Sequence, residues 1–121
     1  MTSFQDIKSS KAILSRNLNG LKCLGVETVT VATTTVAQLA KIPDGRVSAE
    51  IIVEASTATT ATIAIRLWQD GTVPTTTSGY ILGNLDSYEI SNIDNLRNAK
   101  FLASETGKTH TLQVMYFGVK P

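Results

Sequence analysis

The stretch from Val47 to Ala55, which reads VSAEIIVEA, decides the fold of this chain. Its odd-numbered positions are all apolar, whereas its even-numbered positions are polar with the single exception of Ile52. Successive side chains of a β-strand point to opposite faces, so this alternation predicts a strand with one buried and one exposed face.

Three further runs alternate in the same way. Between residues 62 and 69, aliphatic side chains at odd positions share one predicted face, with Arg66 and Trp68 on the other. Residues 111–116 predict a third strand and residues 28–31 a fourth. The 17 threonines, with the valines and isoleucines, make β-branched residues dominant in the middle of the chain. Such residues favour the pleated surface of a sheet over a helix.

Short segments that favour turns separate these runs. Pro43-Asp44-Gly45, Asp70-Gly71 and Thr106-Gly107-Lys108 supply residues that preset a turn or tolerate positive φ. Closely spaced strands without a helical period between them predict an all-β fold. We expect a small antiparallel β-sandwich, jelly-roll or immunoglobulin-like, over residues 21–121.

Two segments depart from the strand pattern. Residues 93–99 predict a helical turn with Asn92 or Asp94 as its cap. Residues 1–20 are polar and rich in Ser, Lys and Asn, which predicts an extended N-terminal arm that orders against a neighbouring chain. An ordinary first strand or helix of the domain is the alternative. The candidate partner-interface residues of the arm are its isolated apolar ones: Phe4, Ile7, Ile13, Leu14 and Leu18.

The composition limits the classes of function. Eleven basic and ten acidic residues give a formal net charge of +1, without the basic stripe that nucleic-acid binding requires. No segment approaches the run of about 20 apolar residues that spans a bilayer, and the first residues lack the order of a secretory signal. The sequence therefore predicts a soluble protein that binds neither nucleic acid nor membrane.

Candidate catalytic and metal-binding residues are few. Cys23 is the only cysteine, so it cannot form an intrachain disulfide, and we expect it to be a small buried side chain. His110 is the only histidine, and we expect a polar edge or loop residue rather than a catalytic base. These two residues are too far apart in sequence to predict a zinc site.

Two other patterns also give little chemistry. Gly107-Lys108-Thr109 resembles the end of a phosphate-binding loop, but Leu102 occupies the position of the required earlier glycine. Carboxylates near turns could pair for acid–base chemistry or bind calcium, although turn formation explains each of them; they are Asp70, Asp86, Glu89 and Asp94. We predict no catalytic residues, no cofactor and no metal, and therefore no enzyme.

Trp68 is the candidate binding residue of the domain. We expect it in the second-sheet side of the core or in a partner interface, where tryptophan is enriched. The alternative is a ligand platform, in which Trp68 stacks on a sugar together with Tyr80 or Tyr88. That alternative describes a carbohydrate-binding or receptor-binding module.

The stretch from Ile65 to Thr75, IRLWQDGTVPT, followed by GYIL at residues 79–82, resembles a pattern of small structural proteins of tailed bacteriophages. In those proteins a strand that contains an arginine is followed by the sequence Asp-Gly-Thr-x-Pro-Thr, and a glycine and a further strand come next. The resemblance covers about residues 26–118 and departs in a longer segment at 56–62 and in the N-terminal arm. The matching residues of this stretch are Arg66 and the structural-turn residues Asp70, Gly71, Thr72, Pro74 and Gly79. Outside it, the same order is kept by Glu50 and Ile52, by Phe101 and Leu102, and by Met115-Tyr116-Phe117.

The resemblance implies a β-sandwich virion protein without catalytic activity. We expect a capsid decoration, cement or minor head protein that assembles in multiple copies through β edges and the N-terminal arm. A collar, adaptor or tail component is the close alternative. The expected partners are copies of the chain itself, as a homo-oligomer in the particle, and other virion proteins such as major capsid or neck proteins.

Overall fold

The computed structural model describes residues 21–57 and 62–119. Strands dominate these residues, because the alternating runs form extended chain and the turn segments break it. In chain order the elements are β1 (Lys22–Val31), β2 (Val47–Glu54), β3 (Ile65–Trp68), β4 (Tyr80–Leu82), β5 (Ser87–Ser91), α1 (Ile93–Asn98), β6 (Lys100–Ala103) and β7 (His110–Gly118).

The strands form two antiparallel sheets. One sheet has four strands in the order β1-β7-β2-β5, and the other has three in the order β4-β3-β6. Ladder neighbours pair antiparallel in both sheets. The predicted all-β sandwich is confirmed, whereas the candidate arm at residues 1–20 lies outside the described residues.

The core lies between the sheets and follows the predicted alternation. The odd-numbered residues of β2 from Val47 to Val53 are all buried, and β7 contributes its even-numbered residues. The three-stranded sheet contributes Ile65, Leu67 and Phe101 from its facing side. Burial of this apolar surface is the main stabilising term of such a domain, at roughly 25 cal/mol per Å².

The turns and the helix also agree with the sequence. Gly45, Gly71 and Gly107 each have positive φ, a conformation that glycine adopts without steric cost. The side chain of Asn92 caps α1 by accepting a 2.8 Å hydrogen bond from the backbone N–H of Asp94. Strand β5 was not predicted, because it is short and buries only Ile90 fully.

Two side chains, Cys23 and His110, lie where the sequence did not predict them, and strand alternation is the reason in both cases. Cys23, expected to be buried, is exposed because it pairs with Phe117 on the outward-facing positions of its sheet, beside a β-bulge. His110, expected at a polar edge or loop, is 1% exposed because it begins β7 on the same face as Leu112. Trp68 is 37% exposed and lies outside the core, so of its predicted placements the partner interface and the ligand platform stay open.

Among the described residues, helical structure is confined to α1, and no helix has the length and apolar character needed to cross a membrane.

Candidate interaction surfaces

The outer face of the four-stranded sheet, the side that points away from the core, carries an apolar patch. Val26 of β1 pairs with Met115 of β7, and Ile52 of β2 lies in the adjacent row, paired with Gln113. Val26 is 65% exposed, Met115 42% and Ile52 38%. These three side chains lie on neighbouring strands, so the patch is contiguous rather than scattered.

Glutamates border this apolar patch on the side of β2 and β5. Glu50 of β2 stands directly opposite Glu89 of β5 in the antiparallel ladder, and Glu54 lies further along β2. Partial burial, and then the nearby charge of Glu50, raise the pKa of Glu89. The outward-facing positions of β1, β7, β2 and β5 carry these carboxylates and no basic side chain. The face is therefore acidic.

A surface cleft of about 390 Å³ crosses this face. Val26, Ile52 and Met115 line it together with Glu50 and Gln113. The amide of Gln113 is held on both sides, since it donates to Glu54 Oε1 across 2.7 Å and accepts from Thr28 Oγ1 across 2.9 Å. The cleft thus has apolar walls beside ordered polar groups.

Strand β1 borders the same face and forms an edge of the sheet. It is ten residues long and pairs with β7 on one side. In the described part of the chain, no strand pairs with its other side. An unpaired edge of this length offers backbone N–H and C=O groups to a partner strand.

A second surface lies where the edges of the two sheets meet. Trp68, Tyr80 and Tyr88 line one cleft of about 180 Å³ together with Gln69. The rings of Tyr80 and Tyr88 lie 5.2 Å apart at a 42° interplanar angle, and the amide of Gln69 donates a hydrogen bond to the Tyr88 hydroxyl. Tyr80 and Trp68 remain exposed. The cleft has the aromatic surface on which sugar rings stack.

Residues 69–79 form the loop between β3 and β4. Arg66 closes it by donating from Nε to the carbonyl of Thr76 across 3.1 Å and from Nη1 to the carbonyl of Gly79 across 3.0 Å. Asp70 Oδ1 accepts from the backbone N–H of Thr72 across 2.9 Å, and this bond holds the pKa of Asp70 below its usual range. Arg66 and Asp70 therefore both hold the shape of the loop.

The other candidate carboxylates are also used locally. Asp86 Oδ2 accepts from the backbone N–H of Gly83 across 2.6 Å, and Asp94 lies in the first turn of α1. Over residues 21–57 and 62–119, no group of three or more His, Cys, Asp or Glu residues is placed to hold a metal ion. The segment Gly107-Lys108-Thr109 precedes strand β7 rather than a helix, so the phosphate-loop motif fails as predicted.

His110 has one resolved hydrogen-bond partner among the described residues. Its Nδ1 accepts from the backbone N–H of Ser56 across 2.9 Å, and the buried Nε2 has no partner in the described residues. Desolvation lowers the pKa of His110, and the charge of Glu105 opposes this shift. An imidazole whose Nδ1 accepts a backbone N–H is neutral, so His110 acts as a buried acceptor at neutral pH.

No protein-family model matches the sequence, and no curated protein resembles it to a significant degree.

The candidate sites predicted from the sequence have different outcomes. The structure brings Trp68 together with both Tyr80 and Tyr88, and it places Asp70, Gly71, Thr72, Pro74 and Gly79 in one loop. The arm residues Phe4, Ile7, Ile13, Leu14 and Leu18 lie outside the described residues. The outer face of the four-stranded sheet was not predicted, although Ile52, the apolar exception among the even-numbered positions of β2, was a signal for its apolar patch.

Proposed function

We propose that this chain is a structural subunit of a tailed-bacteriophage virion, a capsid decoration, cement or minor head protein that assembles in multiple copies. The observation that carries the proposal is the exposed patch of Val26, Met115 and Ile52 beside the unpaired edge of β1. An apolar patch next to an open strand edge is a surface that a partner chain can cover.

The virion assignment rests on the sequence pattern from Arg66 to Gly79. The polar groups of Arg66 and Asp70 in that pattern are engaged in holding a loop, which is consistent with a structural role. A subunit of the collar, adaptor or tail would need the same kind of sandwich with the same open surface. A position there, instead of on the capsid, is the close alternative within this proposal. The proposed partners are copies of the chain and neighbouring virion proteins.

The test is stoichiometric capture by the particle. The full chain is mixed with purified particles that lack it, and light scattering measures the mass bound. We expect saturable binding at a fixed number of copies per particle. The double variant Val26→Ser with Met115→Gln removes exposed apolar surface from the patch and should weaken capture. Val73→Ser is the matched control, since Val73 is 51% exposed in the loop after β3. A chain that no particle captures, although it is folded, contradicts the proposal.

A specific observation favours a second candidate function, that of a carbohydrate-binding module. Trp68, Tyr80 and Tyr88 line one cleft, with Tyr80 and Trp68 exposed. Aromatic faces with a nearby amide, here Gln69, suit a sugar ring and its hydroxyl groups. The two candidate functions use different surfaces, so variants of one leave the other intact.

A further inference from the structure

The outer face of the four-stranded sheet needs a basic partner. Its three glutamates are Glu50, Glu54 and Glu89, and its outward-facing strand positions carry no lysine or arginine. Two copies that met face to face would bring these carboxylates together, and like-charge contacts oppose association. Whatever covers this patch must therefore supply positive charge as well as apolar side chains.

The N-terminal arm, residues 1–20, has this composition. It contains Lys8, Lys11 and Arg16 against a single acidic residue, Asp6. Its apolar residues are spaced between the charges. The arm therefore matches the face in both respects, with basic groups for the glutamates and isolated large side chains for the cleft lined by Val26, Ile52 and Met115.

From this match we infer that the outer face binds the N-terminal arm of a neighbouring copy of the same chain. The inference rests on the proposed function, because it names the contact through which the copies assemble. Lys8, Lys11 and Arg16 face the glutamates, and an apolar arm residue enters the cleft between β1, β7 and β2. Each copy then offers one arm and one face, so the contact is head-to-tail and repeats from copy to copy.

The direction of β1 favours a neighbouring copy as the source of the arm. Lys22 pairs with Gly118 at the end of the sheet, and the row from Val26 to Glu89 lies further along the strand. An arm that continued the line of β1 beyond Leu21 would leave its own sheet and extend toward a neighbouring copy, whereas covering that row in the same chain would need a turn at Asn19-Gly20. The oligomeric state of the parent chain distinguishes the two arrangements. Twenty residues span at most about 70 Å when extended, which is well beyond the roughly 13 Å radius of gyration of a 100-residue domain.

Two variants of the chain, one with the charges of the face reversed and one with the charges of the arm reversed, test the inference. The face variant carries Glu50→Lys and Glu89→Lys, and the arm variant carries Lys8→Glu, Lys11→Glu and Arg16→Glu. Sedimentation velocity of the full-length chains at low salt measures self-association. We expect the parent chain to self-associate more weakly as salt rises, since salt screens the charge pairs. Each variant alone should have its Kd raised at least about tenfold, because like charges then meet at the contact.

The mixture of the two variants is the decisive measurement. The unaltered arm of the face variant meets the unaltered face of the arm variant, so the equimolar mixture should associate although neither variant does so alone. A contact within one chain would leave the parent chain monomeric, so self-association of the parent together with rescue in the mixture identifies a contact between copies. The inference is wrong if the mixture stays monomeric, or if the parent chain is monomeric at every concentration and salt tested.

Two controls separate this result from unfolding and from net charge. Glu50→Gln with Glu89→Gln removes the charges without reversing them and should give an intermediate weakening, with folding checked by circular dichroism. Asp44→Lys with Thr34→Lys and Thr35→Lys raises the net charge as much as the face variant does, at exposed positions away from the face, and should leave association unchanged. Loss of association in this control would contradict the inference.

The particle-capture measurement distinguishes the inference from the proposed function. A parent chain that particles capture, combined with a mixture that stays monomeric, refutes the arm-to-face contact and leaves the virion role intact. A mixture that associates, combined with a chain that no particle captures, supports the contact and refutes the virion role.

Discussion

Tyr116 donates its hydroxyl hydrogen to Oε1 of Glu27 across 2.6 Å inside the sandwich. Glu27 is only 7% exposed, and the backbone N–H groups of Ala40 and Lys41 donate to its two carboxylate oxygens across 2.8 and 3.0 Å. Burial and the bond to Glu27 raise the pKa of Tyr116. A buried carboxylate thus ties the segment after β1 to the middle of the four-stranded sheet.

Removing the Tyr116 hydroxyl should destabilise the chain without changing its fold. In Tyr116→Phe one donor to a buried carboxylate is lost, and we expect the free energy of unfolding to fall by about 1–3 kcal/mol. Tyr80→Phe is the control, because Tyr80 is exposed and its hydroxyl should contribute little. Urea unfolding monitored by circular dichroism measures both variants. Equal stability of Tyr116→Phe and the parent would show that the buried bond contributes nothing.

Gly79 is the residue of the loop pattern at which a side chain is least tolerated. Its φ is +143°, and a Cβ would lie 2.8 Å from the Cβ of Arg66 and 3.2 Å from that of Pro74. Gly79→Ala should therefore lower the free energy of unfolding by roughly 2–4 kcal/mol, combining backbone strain with overpacking. Gly107→Ala is the matched control, since φ is also positive there but nothing lies within 4 Å of the added Cβ. Chemical denaturation should show a clearly smaller loss for the control.

Much of the fold could be predicted from the sequence, and the exceptions have a common cause. The alternation of apolar and polar residues predicted β2, β3 and β7, because each of these strands buries one face completely. The short edge strand β5 buries only Ile90 fully, so its pattern was too weak to predict a strand. Pattern alone also places Glu27 on the buried face beside Val29 without explaining why a charge is tolerated there. The explanation lies in backbone donors 13 and 14 residues away, which alternation does not report.

The candidate sites were less predictable because they depend on contacts between distant strands. Trp68, Tyr80 and Tyr88 were each named from the sequence, but only the meeting of the two sheet edges brings them into one cleft. The acidic outer face arises from the register that sets Glu50 opposite Glu89, and register between strands far apart in sequence is not visible in a local pattern.

The Glu50–Glu89 pair should make the isolated chain less stable at neutral pH. Partial burial, and then the charge of Glu50, raise the pKa of Glu89 above its ordinary value of 4.5. Its contribution to stability is therefore full below that value and is lost as pH rises through the folded-state pKa. Glu89→Gln should stabilise the chain at pH 7 by about 0.2–1 kcal/mol, a range typical of directly opposed like charges at a solvent-screened surface.

The pH dependence identifies the source of that gain. The difference between Glu89→Gln and the parent should disappear below pH 4.5, where the carboxyl is protonated in both folded and unfolded chains. Glu54→Gln is the control, because Glu54 accepts a bond from Gln113 that a glutamine oxygen can also accept. Thermal unfolding over a pH series measures all three chains. A destabilised Glu89→Gln at pH 7 would contradict the expected repulsion.

His110 should make the free energy of unfolding rise with pH, which is the opposite of the effect of Glu89, and it should do so at a higher pH. Its pKa is lowered from 6.5 by burial, so its stabilising contribution is full above pH 6.5 and is lost as pH falls toward the lower folded-state pKa. His110→Gln keeps an acceptor for the Ser56 N–H, and because this is the only histidine, the variant should flatten the slope between pH 7 and 5.5. An unchanged slope would place the titrating group elsewhere.

The fluorescence of Trp68 can report sugar binding in the aromatic cleft, and so it tests the carbohydrate-binding alternative. It is the only tryptophan and is 37% exposed in the aromatic cleft, so a sugar stacked on it should change its fluorescence. If the chain binds glycans, a sugar that titrates this signal should lose about two- to tenfold in affinity in Tyr80→Ala, since one stacked aromatic contributes about 0.5–1.5 kcal/mol. Ile81→Ala is the matched control, because Ile81 is a neighbouring exposed residue of β4 outside the cleft. A fluorescence signal that no sugar in a panel changes at millimolar concentration, while particles capture the same preparation, would contradict the carbohydrate-binding alternative.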